Sequence, residues 1–222
     1  MERSIESIWK EGFLTSEELV VPKIINLYDK KSSHLVDKFA RMFRINVKGI
    51  VIGAFVVLLL SWLVRIPYMG IGFFIALIPL AYVNYKLMKG LDQIDKTVNS
   101  YSYLKSFDTW LKEMISINQK FARVFYPFVL LAVLAGYWFG PIGGDMPGEA
   151  FLAGLKHQFP DMLLIFGYPL YLTLAVLLIL ALVSIFAGRI YMFDLNLVYG
   201  RQIQRLKDIL ADLEELRKNS SF

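Results

Sequence analysis

The chain has 222 residues, 56% of them hydrophobic, with a formal net charge of +5 and a mean hydropathy of +0.50. That is more apolar than a soluble domain of this length, and the lack of cysteine excludes disulfides, thiol catalysis and thiolate metal ligands. The basic excess does not point to nucleic acid. Of the 24 lysines and arginines, 22 fall in residues 1–48, 86–123 and 189–222, alternating with stretches that carry no charge.

Residues 1–48 come first, and such a long polar lead predicts no signal peptide. Ile5, Ile8 and Trp9 lie on one side of a short amphipathic piece, Gly12 ends it, and the capping-box pattern Thr15-Ser-Glu-Glu18 starts a second helix. Along that helix Tyr28, Leu35, Phe39 and Met42 recur at heptad-like spacing, with Ser32 filling the missing place. Lys30, Lys31, Lys38, Arg41 and Arg44 crowd the approach to the first apolar run. They are candidate contacts for anionic lipid headgroups, beside the plainer reading as an orientation signal on a solvated face.

Four charge-free stretches follow, 49–64, 66–85, 124–144 and 162–188. An apolar helix needs about 20 residues to cross a bilayer, and these are long enough or nearly so. The first two form a transmembrane hairpin over 49–86, with one span near 46–64 and the next near 68–86. Arg65-Ile-Pro67-Tyr-Met-Gly70 makes the tight turn between them. The third span is expected over 124–140, an external loop over 141–161, and the fourth span over 162–188. Pro79, Pro127 and Pro169 are expected to kink their helices. Small residues four apart, Gly49 and Gly53, Ala132 and Gly136, Gly136 and Gly140, Ser184 and Gly188, permit close helix approach. With the basic segments inside, both termini are cytoplasmic.

The spans hold no Asp, Glu, Lys, Arg or His, which counts against pumps, ion-coupled transporters and voltage sensors. Their polar groups are Ser61, Asn84, Thr173, Ser184 and several tyrosines, and Asn84 is expected to bond a neighbouring helix or water.

Two stripes stand out between and after the spans. In the segment 87–123, Leu87, Leu91, Ile94, Val98 and Tyr101 step by four and three, and Leu104, Phe107, Leu111, Met114 or Ile115, and Phe121 resume the pattern. In the tail 189–222, Tyr199, Ile203, Leu206, Leu210 and Leu213 repeat it. Such stripes need a partner surface, since each buried Leu or Ile is worth about 1.5–3 kcal/mol. They pack on each other, on a second copy in a homodimer of coiled-coil type, or on another helical protein.

The sequence carries few motifs of known chemistry. There is no phosphate-binding glycine loop, no His-Glu-x-x-His and no Gly-x-Ser-x-Gly. The loop holds His157 with Asp145, Glu149 and Asp161, where wet loop acids are the default and a divalent cation the sharper alternative. Residues 148–158 read as a short interfacial helix with Phe151, Leu152 and Leu155 on the headgroups.

Arg189-Ile-Tyr-Met-Phe-Asp-Leu-Asn-Leu-Val-Tyr-Gly-Arg201, with Ile8-Trp9-Lys10-Glu11 and the segment 101–110, resembles a group of small bacterial inner-membrane proteins with four spans and no assigned activity. The resemblance covers most of the chain; it implies a bacterial inner membrane and transfers no site. The expected fold is all-α: four transmembrane helices, both termini inside, with amphipathic cytoplasmic helices extending the bundle. The expected function is that of a non-enzymatic scaffold, anchor or regulatory interaction protein. Its candidate face is Leu91, Ile94, Val98, Tyr101, Ile203, Leu206, Leu210 and Leu213, with no catalytic, cofactor or metal residue and no nucleic-acid partner. A passive oligomeric channel lined by Ser61, Thr173, Ser184 or tyrosines, or a lipid-handling protein, is the alternative.

Overall fold

The structure, a computed structural model, describes residues 5–141, 144 and 146–219; for 5–28, 216, 218 and 219 it describes the backbone alone. Among these residues the regular structure is helical apart from one two-stranded hairpin. The elements are α1 (Ile5–Leu63), α2 (Pro67–Asp92), α3 (Ser100–Phe139), α4 (Pro147–Gln158), β1 (Leu164–Ile165), β2 (Tyr168–Pro169) and α5 (Leu170–Asn219). α1, α2, α3 and α5 each contain a stretch long and apolar enough to cross a membrane.

α1 runs without a break through Gly12, so the separate first helix expected there is absent. The side chains of Ile5, Ile8, Trp9, Thr15, Glu18 and Tyr28 lie outside the described residues. The helix stops where the sequence turns. Arg65 takes a left-handed φ of 64°, and Val64, Arg65 and Ile66 donate their backbone N–H groups back to Leu60, Trp62 and Ser61. Pro67 then opens α2, where its missing N–H costs nothing. The two helices meet closely at the turn, for a side chain at Gly70 would run into Ser61.

α2 ends at Asp92 rather than carrying its stripe on to Tyr101. Asp95 accepts from the N–H and hydroxyl of Thr97 at 2.8 and 2.7 Å, and such local bonds compete with helix. These bonds hold the Asp95 carboxyl below the usual carboxylate range. Asn99 then caps α3, its side chain accepting from the Ser102 N–H at 2.8 Å.

The fourth span also differs from expectation. Residues 162–169 are not helical throughout: Leu164 pairs with Pro169 and Ile165 with Tyr168, and Phe166 and Gly167 take φ of 51° and 85° at the tip. Pro169 therefore precedes a helix rather than kinking one, whereas Pro79 and Pro127 do lie inside α2 and α3. The expected short helix of the loop is α4, and its Gly148 sits against the Trp138 ring.

α1 packs on α2, α2 on α3 and α3 on α5, while α1 meets α3 and α5 over shorter stretches. The main core lies beyond the spans, in the basic layer. It joins Leu35, Phe39 and Phe43 of α1, Leu91 of α2, Leu104, Phe107, Trp110, Leu111 and Met114 of α3, and Leu195, Tyr199 and Leu206 of α5. Phe39 is its hub, with Phe107 at 5.3 Å, Trp110 at 5.9 Å and Tyr199 at 4.9 Å between ring centroids. Ser32, which fills the gap in the α1 repeat, is 1% exposed in this layer.

Candidate interfacial cavity

A cavity of about 320 Å³ opens where α1, α2, α3 and α5 pass from the charge-free spans into the basic layer. Its apolar wall includes Phe43, Ile50, Leu80, Met114, Phe121, Ala122, Phe125 and Leu195. Its polar wall is Asn46, Asn84, Asn118, Tyr126, Tyr191, Asp194 and Tyr199. Asn46, Asp194 and Val198 are exposed, which places the mouth between α1 and α5. Ile190, Phe193 and Leu197 are exposed on the same stretch of α5, as is Ile45 on α1. Lipid-type surface thus reaches the mouth.

Helix contacts fix the polar groups. Asn84 and Asn118 donate to one another's amide oxygens at 3.3 Å, and each also donates to a carbonyl one turn back, at 2.9 Å to Leu80 and 3.1 Å to Met114. Trp110 Nε1 donates to the Leu87 carbonyl at 3.0 Å, a second tie between α2 and α3. The Tyr126 hydroxyl donates to Asp194 at 2.6 Å and ties α3 to α5. Tyr199 is different. It is 5% exposed, and its hydroxyl finds no partner among the described residues.

The expected bond from Asn84 to a neighbouring helix is present. The sequence alone does not single out Asn118 or Asp194. A signal for Asn118 existed, for it occupies the seam position between Met114 and Phe121, where one buried Asn commonly fixes register.

The eight-residue stripe is divided. Leu91 and Leu206 are inside the core, and Ile94, Ile203, Leu210 and Leu213 pack against it. Val98 is 41% exposed, and Tyr101 donates to Glu214 at 3.4 Å while Arg217 lies over its ring. The stripe therefore meets within this chain and leaves little free face.

The basic residues of α1 are spread along its axis. At about 1.5 Å per residue, Lys30, Lys31 and Lys38 stand about 22, 21 and 10 Å before the exposed Ile45. Arg44 is paired with Asp92.

The hydroxyls considered as a pore lining turn onto backbone. Ser61 donates to Leu58, Thr173 to Pro169 and Ser184 to Arg123, the last joining α5 to α3. Of the small-residue pairs, Ala132 and Gly136 do allow close approach, against Gly72 and Met69 of α2, while Gly49, Gly53 and Gly188 face open space. Glu149, His157 and Asp161 do not assemble into a metal-holding group among the described residues, and Asp145 lies outside them.

No protein family, curated protein or solved structure matches this chain.

Proposed function

We propose that this chain is a non-enzymatic, lipid-handling membrane protein that holds an amphiphile from the inner leaflet in the cavity between α1 and α5. The positive-inside bias supports the side, since the cavity lies where the spans pass into the sequence segments that hold 22 of the 24 basic residues. The single observation that carries the reading is the cavity's two-sided lining. Aromatic and aliphatic side chains suit acyl carbons, while the unpartnered Tyr199 hydroxyl, Asp194 and the asparagine amides suit a headgroup. Asp194 is the one charged residue of the lining among the described residues, which favours a headgroup carrying an ammonium or hydroxyl over a purely anionic one.

The test is native mass spectrometry of the purified protein with its co-purified lipid, comparing wild type with Ala122→Phe, which fills the cavity from a buried wall position. A discrete lipid adduct that falls at least tenfold in the variant supports the proposal; equal adducts refute it. Tyr199→Phe provides a second variant, expected to lose adduct without losing stability.

The scaffold or anchor role is a second reading, favoured by how far the basic layer projects. α5 continues 31 residues past Gly188, about 46 Å at 1.5 Å per residue. Its face would be the polar outer surface of α1 and α5 rather than the consumed stripe. Crosslinking in native membranes that captures neither a second copy nor another protein at any position on those surfaces removes it.

A further inference from the structure

A second recess lies farther from the spans, between the same two helices. It measures about 310 Å³ and is lined by Lys31, His34 and Lys38 of α1 with Gln202, Arg205 and Asp208 of α5, over Leu35 and Ile209. Three cations and a histidine face one acid there, and that acid already accepts from Gln204 at 2.9 Å. Arg44 pairs with Asp92, Lys96 with Asp37, Lys105 with Glu214 and Lys112 with Asp108, and no acid among the described residues takes up Lys38 or Arg205. Gln202 is 8% exposed and its Oε1 has no partner among the described residues. A buried amide oxygen left bare beside a cationic recess needs a donor, and leaving it without one is unfavourable.

We propose that this cleft binds a small soluble phosphate-bearing anion. Phosphoryl oxygens accept from Lys38 and Arg205, and a protonated phosphate or an adjoining hydroxyl supplies the donor that Gln202 lacks. Size argues for a small molecule over a docked helix, because residues 31–38 span only about 10 Å of α1. Position argues for a soluble anion over a lipid headgroup. Measured along the helices at about 1.5 Å per residue, Lys38 lies about 10 Å and His34 about 16 Å before Ile45, and Arg205 about 12 Å beyond Leu197. Each stands past a headgroup layer of about 5–8 Å. This site is independent of the amphiphile cavity, so Ala122→Phe leaves it intact and the two proposals fail separately.

The test is isothermal titration of inorganic pyrophosphate into the full chain in nanodiscs of zwitterionic lipid at fixed ionic strength. Saturable one-to-one binding is expected, at least tenfold weaker in Lys38→Gln/Arg205→Gln and weakened also in Gln202→Leu. Lys30→Gln, a cation of α1 that does not line the cleft, is expected to bind as wild type. Thermal unfolding of each variant verifies the fold, and the single variants Lys38→Gln and Arg205→Gln replace the double one if it unfolds. Absence of saturable binding overturns the proposal, as does equal weakening by Lys30→Gln, which would mean diffuse charge attraction. Competition by anionic lipid added to the nanodisc also overturns it, because the site would then belong to a headgroup.

Discussion

The spans and the basic layer of this protein are built from the same four helices but hold together differently. In the basic layer Phe39, Leu104, Phe107, Met114 and Leu206 are almost wholly enclosed. In the spans little is: 6% of the most apolar stretch of α5 is buried within the chain, and 17% of that of α1. Water drives apolar side chains together in the first region, whereas lipid tails solvate Leu as well as another helix does in the second. The spans instead meet at a few close approaches, such as Gly70 on Ser61 and Gly136 on Met69. The cavity sits where one regime gives way to the other.

The largest contrast should come from matched truncations. Phe39→Ala is expected to destabilise by about 3–5 kcal/mol, as for other buried aromatics. Leu178→Ala, on the exposed face of α5, should change stability by no more than about 0.5 kcal/mol. Reversible unfolding in mixed micelles measures both, and equal effects would break the comparison. Next is the asparagine pair at the boundary. Asn118→Leu alone is expected to cost about 1–3 kcal/mol because it strands Asn84, while the double change to leucine recovers much of that. A double-mutant cycle reads the coupling.

Two smaller effects have the opposite sign or none. Tyr103→Phe and Ser32→Ala each remove a buried hydroxyl without a partner among the described residues, so stability should hold or rise by up to about 1 kcal/mol. A loss in either would reveal a partner for that hydroxyl. Smallest is Arg44→Gln at the exposed pair with Asp92, expected below about 1 kcal/mol and vanishing in high salt.

Much of this architecture was legible. Uninterrupted apolar runs announced four membrane-length helices, Pro67 and Gly70 the hairpin, and Ser32 in an otherwise apolar repeat the face of α1 that is buried. The end of α2 was not, because a four-and-three spacing through Ile94 and Val98 looks helical whether or not Asp95 and Thr97 bond locally. The start of the fourth span was missed for a similar reason. Residues 162–169 are as uncharged as a membrane helix, and the pairing of Leu164 with Pro169 and of Ile165 with Tyr168 distinguishes them. The cavity was hidden more deeply. Asn84 was noticed within its span, but Asn118, Tyr126 and Asp194 come together from α3 and α5, and no local spacing predicts which polar residues of separate helices will share a wall.

The most direct measurement is photocrosslinking with a lipid analogue that carries a diazirine near its headgroup, followed by peptide mapping in nanodiscs. Adducts concentrated on residues 43–50, 118–126 and 191–199, and displaced by unlabelled lipid, are the predicted result. Adducts scattered over exposed span positions such as Leu178 and Ile185, with none in those three segments, would contradict an amphiphile site between α1 and α5.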